Sequence, residues 1–211
     1  MRVSISKILI FVLVFIGCFS EDASSDEDMT NSTVENDLSI SKGLGKTSEI
    51  YVSNWNQLVA TISEDEQTST FFSINPDEMK WTSLEKDTLY YEFGNLENPQ
   101  NVFVINLNIN KENDTVSEVE FFAPTSNDEI NSQQSKLFFL IVIALSDDTL
   151  DKNDRENILN NLGLYEELSN PKQLAGSVTR NNVRYILEPL VDNNLLFGLN
   201  LYSSLVESKN N

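Results

Sequence analysis

Four carboxylates, Asp147, Asp148, Asp151 and Asp154, fall in one short stretch of the chain. Acidic oxygens at close spacing are what a hard cation such as calcium requires. An EF-hand loop also needs glycine at its sixth position and glutamate at its twelfth, and counted from Asp147 these are Lys152 and Ile158. The stretch therefore reads as a polar loop whose carboxylates meet the positive end of a helix. Glu118 and Glu120 stand two apart, so on a strand both leave one face. Paired carboxylates can hydrolyse glycosides, but charged residues also cover the wet face of any half-buried strand. Arg180 and Arg184 flank an Asn-Asn turn and read as surface charge ahead of an anion site. Tyr90 and Tyr91 must face opposite ways, one toward a core and one toward water. Trp55 lies on an apolar helical stripe and reads as core.

What is missing narrows the chemistry further. The chain has no histidine and a single cysteine, Cys18. Ser-His-Asp and Cys-His nucleophile systems are thereby excluded, and the usual zinc sites lose their ligands. No catalytic residue, cofactor or metal site is assigned from the sequence. The formal net charge is −19 over 211 residues, which argues against nucleic acid, whose backbone requires lysine and arginine, and against electrostatic docking on anionic lipid. Asparagine is frequent, so the sequons at Asn31 and Asn113 carry little weight.

The beginning of the chain says where it works. Arg2 and Lys7 precede an apolar run from Ile8 to Gly17, followed at once by Cys18. The run is shorter than the about 20 residues needed to span a bilayer and has the form of a signal peptide. Phe15-Ile16-Gly17-Cys18 resembles the lipobox of bacterial lipoproteins. The resemblance covers only the leader and Cys18. It implies export, cleavage of residues 1–17 and a lipid on Cys18; it implies no fold and no activity for the remainder. Phe15 and Ile16 depart from the usual Leu and Ala or Ser. The alternative is secretion after cleavage following Ser20.

Residues 18–46 lack any hydrophobic period and are rich in Asp, Glu, Ser and Asn, which predicts a disordered acidic tether. Residues 47–206 read as a single α+β domain, and residues 207–211 as a frayed C-terminus. Helical spacing of Trp55, Leu58, Val59 and Ile62 predicts a helix over Ser48–Ser63. Strands are predicted over Thr70–Ile74, Met79–Leu84 and Leu89–Phe93. Val102–Asn110 alternates most clearly: Phe103, Ile105, Leu107 and Ile109 face a core, and Asn106, Asn108 and Asn110 face water. The chain returns through Val116–Ala123. Ser126 and Glu129 have capping-box spacing ahead of a helix that ends near Leu145. Its apolar second half, Leu137–Leu145, reads as a buried helix, with a central strand as the alternative. A further helix over Asp151–Leu162 is closed by Gly163. Strands then follow over Gly176–Thr179, Val183–Leu187 and Leu195–Tyr202. Clustered helices between runs of hairpin strands predict an antiparallel meander with helices packed on one face.

From these observations the leading expectation is a membrane-tethered, non-enzymatic module that binds a protein or peptide. An accessory or immunity-type factor of the cell envelope with a basic protein partner fits the charge. A small-ligand (solute) binding lipoprotein and a carboxylate-dependent envelope hydrolase are the alternatives.

Overall fold

Helix α1 spans Ser48–Ile62. Thr47 caps it by accepting the Ile50 amide at 3.5 Å, and Ser63 closes it with its amide and hydroxyl on the Val59 carbonyl, at 3.0 and 2.7 Å. The buried stripe Tyr51, Val52, Trp55, Val59 and Ile62 recurs every three to four residues, one face of a helix. The computed structural model describes residues 44–63, 72–82, 87–94, 96–97, 101–125, 129–164, 176–192 and 195–206. The leader, Cys18 and the expected tether up to residue 43 therefore lie outside the described residues, as does the expected capping serine at 126.

Among the described residues, seven strands make one antiparallel sheet. They are β1 (Lys80–Trp81), β2 (Thr88–Gly94), β3 (Val102–Asn110), β4 (Thr115–Pro124), β5 (Gly176–Arg180), β6 (Val183–Asp192) and β7 (Leu195–Leu205). Their order is β1-β2-β3-β4-β7-β6-β5. Two meanders thus meet at a β4–β7 pairing in the middle of the sheet. Helices α2 (Glu129–Ser146) and α3 (Lys152–Asn161) fall between them in sequence. The fold is α+β, as the element order predicts.

The three described α-helices pack on the same face of the sheet. Phe93, Phe103, Phe121 and Val119 project from it into one core with Trp55 of α1 and Phe138, Phe139 and Ile141 of α2. The Trp55 ring sits 5.7 Å from Phe93, 5.7 Å from Phe121 and 5.8 Å from Phe138, centroid to centroid. Aromatic contacts at that spacing add about 0.5–1.5 kcal/mol each beyond area burial. Leu137–Leu145 is helical and buried on every side, against β4, β7, α1 and α3. The strand alternative for this segment does not hold.

Several boundaries move for local reasons. Thr70–Ile74 was expected as a strand; within the described residues, Phe72 to Ile74 join no strand. Side chains of α1 take the place of a neighbouring strand there. Asn56 receives the Ile74 amide at 2.7 Å and donates to its carbonyl at 2.8 Å, while the Trp55 indole donates to the Phe72 carbonyl at 3.0 Å. The strand expected over Met79–Leu84 is confined to Lys80–Trp81 among the described residues. β6 runs past Leu187 and through Pro189 to Asp192. Its pairing with β5 ends at Leu187, so beyond that point, among the described residues, β6 pairs with β7 alone, where a sheet tolerates a residue without an N–H.

Turns follow their residue types. Asn181 and Asn182 both adopt positive φ, 48° and 66°, as the tight β5–β6 hairpin requires. Gly163 has φ 85°. Its amide reaches the Asn160 carbonyl and the Leu164 amide reaches Leu159, at 2.9 and 3.1 Å, a Schellman closure of α3. The packed region also reaches back before α1. Leu44 is buried, its amide donates to Ser146 at 2.8 Å, and Gly45 and Lys46 pair with Val116 at 2.9 and 2.8 Å.

Candidate functional site

The opposite face of the sheet carries no described helix, and it is polar. Strand register lays its side chains out in rungs. One rung runs Lys80, Tyr90, Asn106, Glu120, Tyr202 and Ile186 from β1 to β6. The next runs Thr88, Asn108, Glu118, Ser204 and Arg184. A third carries Glu92, Val104, Phe122, Asn200 and Glu188. The face therefore collects Glu92, Glu118, Glu120 and Glu188, with Lys80 and Arg184 toward its flanks.

Amides from neighbouring strands hold these carboxylates. Asn106 of β3 donates to Glu120 Oε2 at 2.9 Å, and Asn200 of β7 donates to Glu120 Oε1 at 2.9 Å. Asn200 also donates to the Tyr202 hydroxyl at 3.0 Å. Asn108 donates to Glu118 at 2.8 Å and accepts from the Thr88 hydroxyl at 2.6 Å. The Tyr90 hydroxyl donates to Glu92. Burial pushes the Tyr90 hydroxyl up to about 12, and the Glu92 carboxylate adds to the shift. Burial also raises Tyr202; the Glu120 carboxylate reinforces the shift and the Asn200 amide opposes it.

The asparagines that hold Glu120 have unused acceptors. Asn200 is only 7% exposed. Its Oδ1 and that of Asn106 are buried and have no hydrogen-bond partner among the described residues. A buried acceptor left unsatisfied costs about 1–3 kcal/mol. Exchanging oxygen for nitrogen in either amide does not remove the deficit, because an ionised carboxylate accepts only and would then face a carbonyl.

The aspartate stretch is engaged in holding the fold. Asp147 is fully buried and accepts from the Thr149 amide and hydroxyl at 3.0 and 2.6 Å and from Asn181 at 2.9 Å. Asp148 pairs with Lys46 at 3.2 Å and Asp154 with Arg180 at 2.7 Å. Asp151 caps α3 by accepting the Asp154 amide at 2.8 Å. Among the described residues no group of three or more His, Cys, Asp or Glu is placed to hold a metal ion. Burial pulls the Arg155 guanidinium down from its ordinary value, opposed by Asp151 and Asp147. Arg184 donates to Ser177 at 3.2 Å and lies on the open face, away from Arg180.

The other candidates separate cleanly. Trp55 is core. Tyr91 packs on the core while Tyr90 belongs to the open face. Asn113 turns its side chain back on the Thr115 amide and hydroxyl, at 3.3 and 2.6 Å. Between α1 and the C-terminal end of α2 lies a cleft of about 300 Å³, bordered by Lys46, Asn54, Gln57, Leu58, Asp148 and Arg155. Among the described residues no helix is long and apolar enough to cross a membrane.

No protein-family model, no curated protein and no solved structure matches the chain.

Asn200 and Tyr202 were not singled out in the sequence. They stand 80 residues from Glu120 or further, and only the β4–β7 pairing brings them together. The available signal was their i, i+2 spacing on one strand, the same as that of Glu118 and Glu120.

Proposed function

We propose that the chain is an exported lipoprotein, tethered through Cys18, whose folded part binds a basic protein of the cell envelope without catalysing a reaction. An accessory or immunity-type role is the specific form of this reading. The observation that carries it is the open sheet face, where four glutamates lie on one surface with aromatic side chains between them. Charge of one sign speeds the encounter with a partner of the other and fixes its orientation. The acidic chain is also repelled from anionic lipid, which keeps a tethered module off the membrane surface.

The cleft beside α1 supports the small-ligand alternative, since about 300 Å³ is the lower end of ligand-site volumes. The open face supports the protein partner better, because its glutamates are spread over β2, β4 and β6, a breadth that suits a protein surface.

Two experiments test the reading. In detergent-phase partition, the wild-type chain enters the detergent phase and Cys18→Ala stays in the aqueous phase. If both stay aqueous with a mature terminus at Glu21, the tether is absent. For the partner, the full chain serves as bait on an envelope extract at low and high salt, since the screening length falls from about 10 Å at 0.1 M to about 3 Å at 1 M. The expected result is a basic protein released by salt and lost when Glu118→Lys and Glu188→Lys are combined. Capture that ignores both substitutions overturns the role of this face. Turnover of a wall sugar or peptide with no protein captured returns the hydrolase.

A further inference from the structure

We propose that Glu120, between Asn106 and Asn200, is the subsite that receives an arginine side chain of the partner; the inference rests on the binding role of the open face and assigns its specificity.

Glu120 stands on β4, inside the sheet, with β3 and β7 on either side. Both its oxygens already accept an asparagine amide, one from each neighbouring strand. Those two bonds hold the amide nitrogens on Glu120, and neither carbonyl oxygen meets a donor among the described residues. Asn200 makes the point most sharply, being 7% exposed with its oxygen unpartnered. Glu120 and its two asparagines thus bring together a carboxylate and two amide carbonyls, and the carbonyls lack donors to match them. A ligand that completes the set must bring several N–H groups and a positive charge.

Arginine meets that description better than lysine. Its guanidinium is planar and carries five donors in a fixed fork, and it accepts nothing. A carboxylate has about four lone-pair positions, so Glu120 retains capacity after its two asparagine bonds. The amides of Asn106 and Asn200 flank Glu120 from β3 and β7, within the span of a flat, many-donor group. Both oxygens are buried, so each reaches an arriving donor only when its amide turns over and its nitrogen yields Glu120 to the guanidinium; terminal amide torsions are soft enough for that exchange. Tyr90 and Tyr202 occupy the same rung on either side of this group, and aromatic faces favour guanidinium stacking. Lysine's compact ammonium brings three donors and does not stack in this way.

The test uses the isotope-labelled full chain and two short blocked peptides, Gly-Arg-Gly and Gly-Lys-Gly. The arginine peptide is expected to shift the side-chain amide resonances of Asn106 and Asn200 saturably. The lysine peptide should bind more weakly by roughly fivefold or more, the loss of part of a charge-assisted hydrogen-bond set. Glu120→Gln should weaken the arginine peptide by roughly tenfold, while Glu112→Gln on the exposed β3–β4 turn, away from this face, leaves the resonance shifts in place. Should Glu120→Gln fail to fold, Asn200→Ala is read instead and should abolish the preference for arginine over lysine. Equal responses to the two peptides, or an arginine response unaffected by these substitutions, overturns the proposal. A basic protein that binds through Glu118 and Glu188 while neither peptide moves the Asn106 and Asn200 resonances sinks this subsite and leaves the partner reading standing. Loss of both sinks both.

Discussion

The Phe122 ring on β4 lies over Gly198 on β7, so close that a Cβ at position 198 would stand 2.1 Å from the ring's Cε2. Phe122 pairs directly with Asn200, and its ring leans one step along β7 to cover the glycine. The contact joins the two meanders on the open face, beside the Asn200–Glu120 bond. An aromatic ring laid over a strand glycine in this way shields backbone that has no side chain of its own.

Gly198→Val is therefore expected to force the Phe122 ring off β7 and to destabilise the protein by about 1–3 kcal/mol, the range for overpacking. Phe122→Ala should remove most of that penalty when combined with it, a non-additivity that neighbouring residues show and distant ones do not. Denaturant unfolding of the two single variants and the double variant measures this. Additive losses would mean that the two residues are not coupled.

The alternation through Val102–Asn110 is enough to tell which face of the sheet is wet, and the apolar length of Leu137–Leu145 is enough to call for burial. Neither reveals that β4 meets β7. That pairing is set by how both meanders bury one apolar face under α1 and α2, which is a property of the assembled core. So Glu118 and Glu120 could be picked out as a pair on one strand, yet the asparagine amides that hold Glu120 could not. The segment around Phe72 misled for a related reason. Its β-branched and aromatic residues have strand character, but Asn56 and Trp55 bond its backbone from a helix, leaving no edge for it to join.

Leu44 precedes the first predicted helix and yet is only 1% exposed, lying where the end of α2 meets the start of β4. Leu44→Ala should cost about 2–5 kcal/mol, as for other buried leucines. A chain beginning at Thr47 should lose at least as much, since the bonds of Leu44, Gly45 and Lys46 to Ser146 and Val116 go too. Thermal melts of the two shortened or substituted forms against a chain beginning at residue 43 check this. Equal melting points would show that the segment contributes nothing.

The aspartates of the α2–α3 connection already have internal partners, so chelator should leave the melting temperature unchanged, and added calcium should not raise it. Ligand that binds only the folded state would raise it. Asp147→Ala, in contrast, should destabilise by about 3–5 kcal/mol, as when one member of a buried charge set is removed. It strips the acceptor from Thr149 and Asn181 and removes a carboxylate that favours the charged form of buried Arg155. A calcium-dependent rise in melting temperature would restore the cation reading of this loop.

The tyrosines predict how stability falls in alkali. Tyr51 and Tyr185 are buried with hydroxyls that have no partner among the described residues, and burial drives both well above the ordinary tyrosine range. Tyr202 is raised, and Tyr90 is pushed up to about 12. In the unfolded chain tyrosines ionise near pH 10, at about their reference value. The unfolded state therefore gives up these protons first and binds fewer of them in alkali, so stability declines as pH rises. The contribution of these groups is whole below about pH 10 and is lost as pH climbs from there through the folded values. Tyrosinate absorbance should lag in the native protein relative to the chain in denaturant, and most of it should appear together with loss of secondary structure. Tyr51→Phe is the sharp control. It deletes a buried hydroxyl without a partner, a change expected to be neutral or stabilising at neutral pH. It should also make the alkaline decline shallower. A variant that loses stability at neutral pH and declines as steeply as wild type would show that the Tyr51 hydroxyl is bonded in solution.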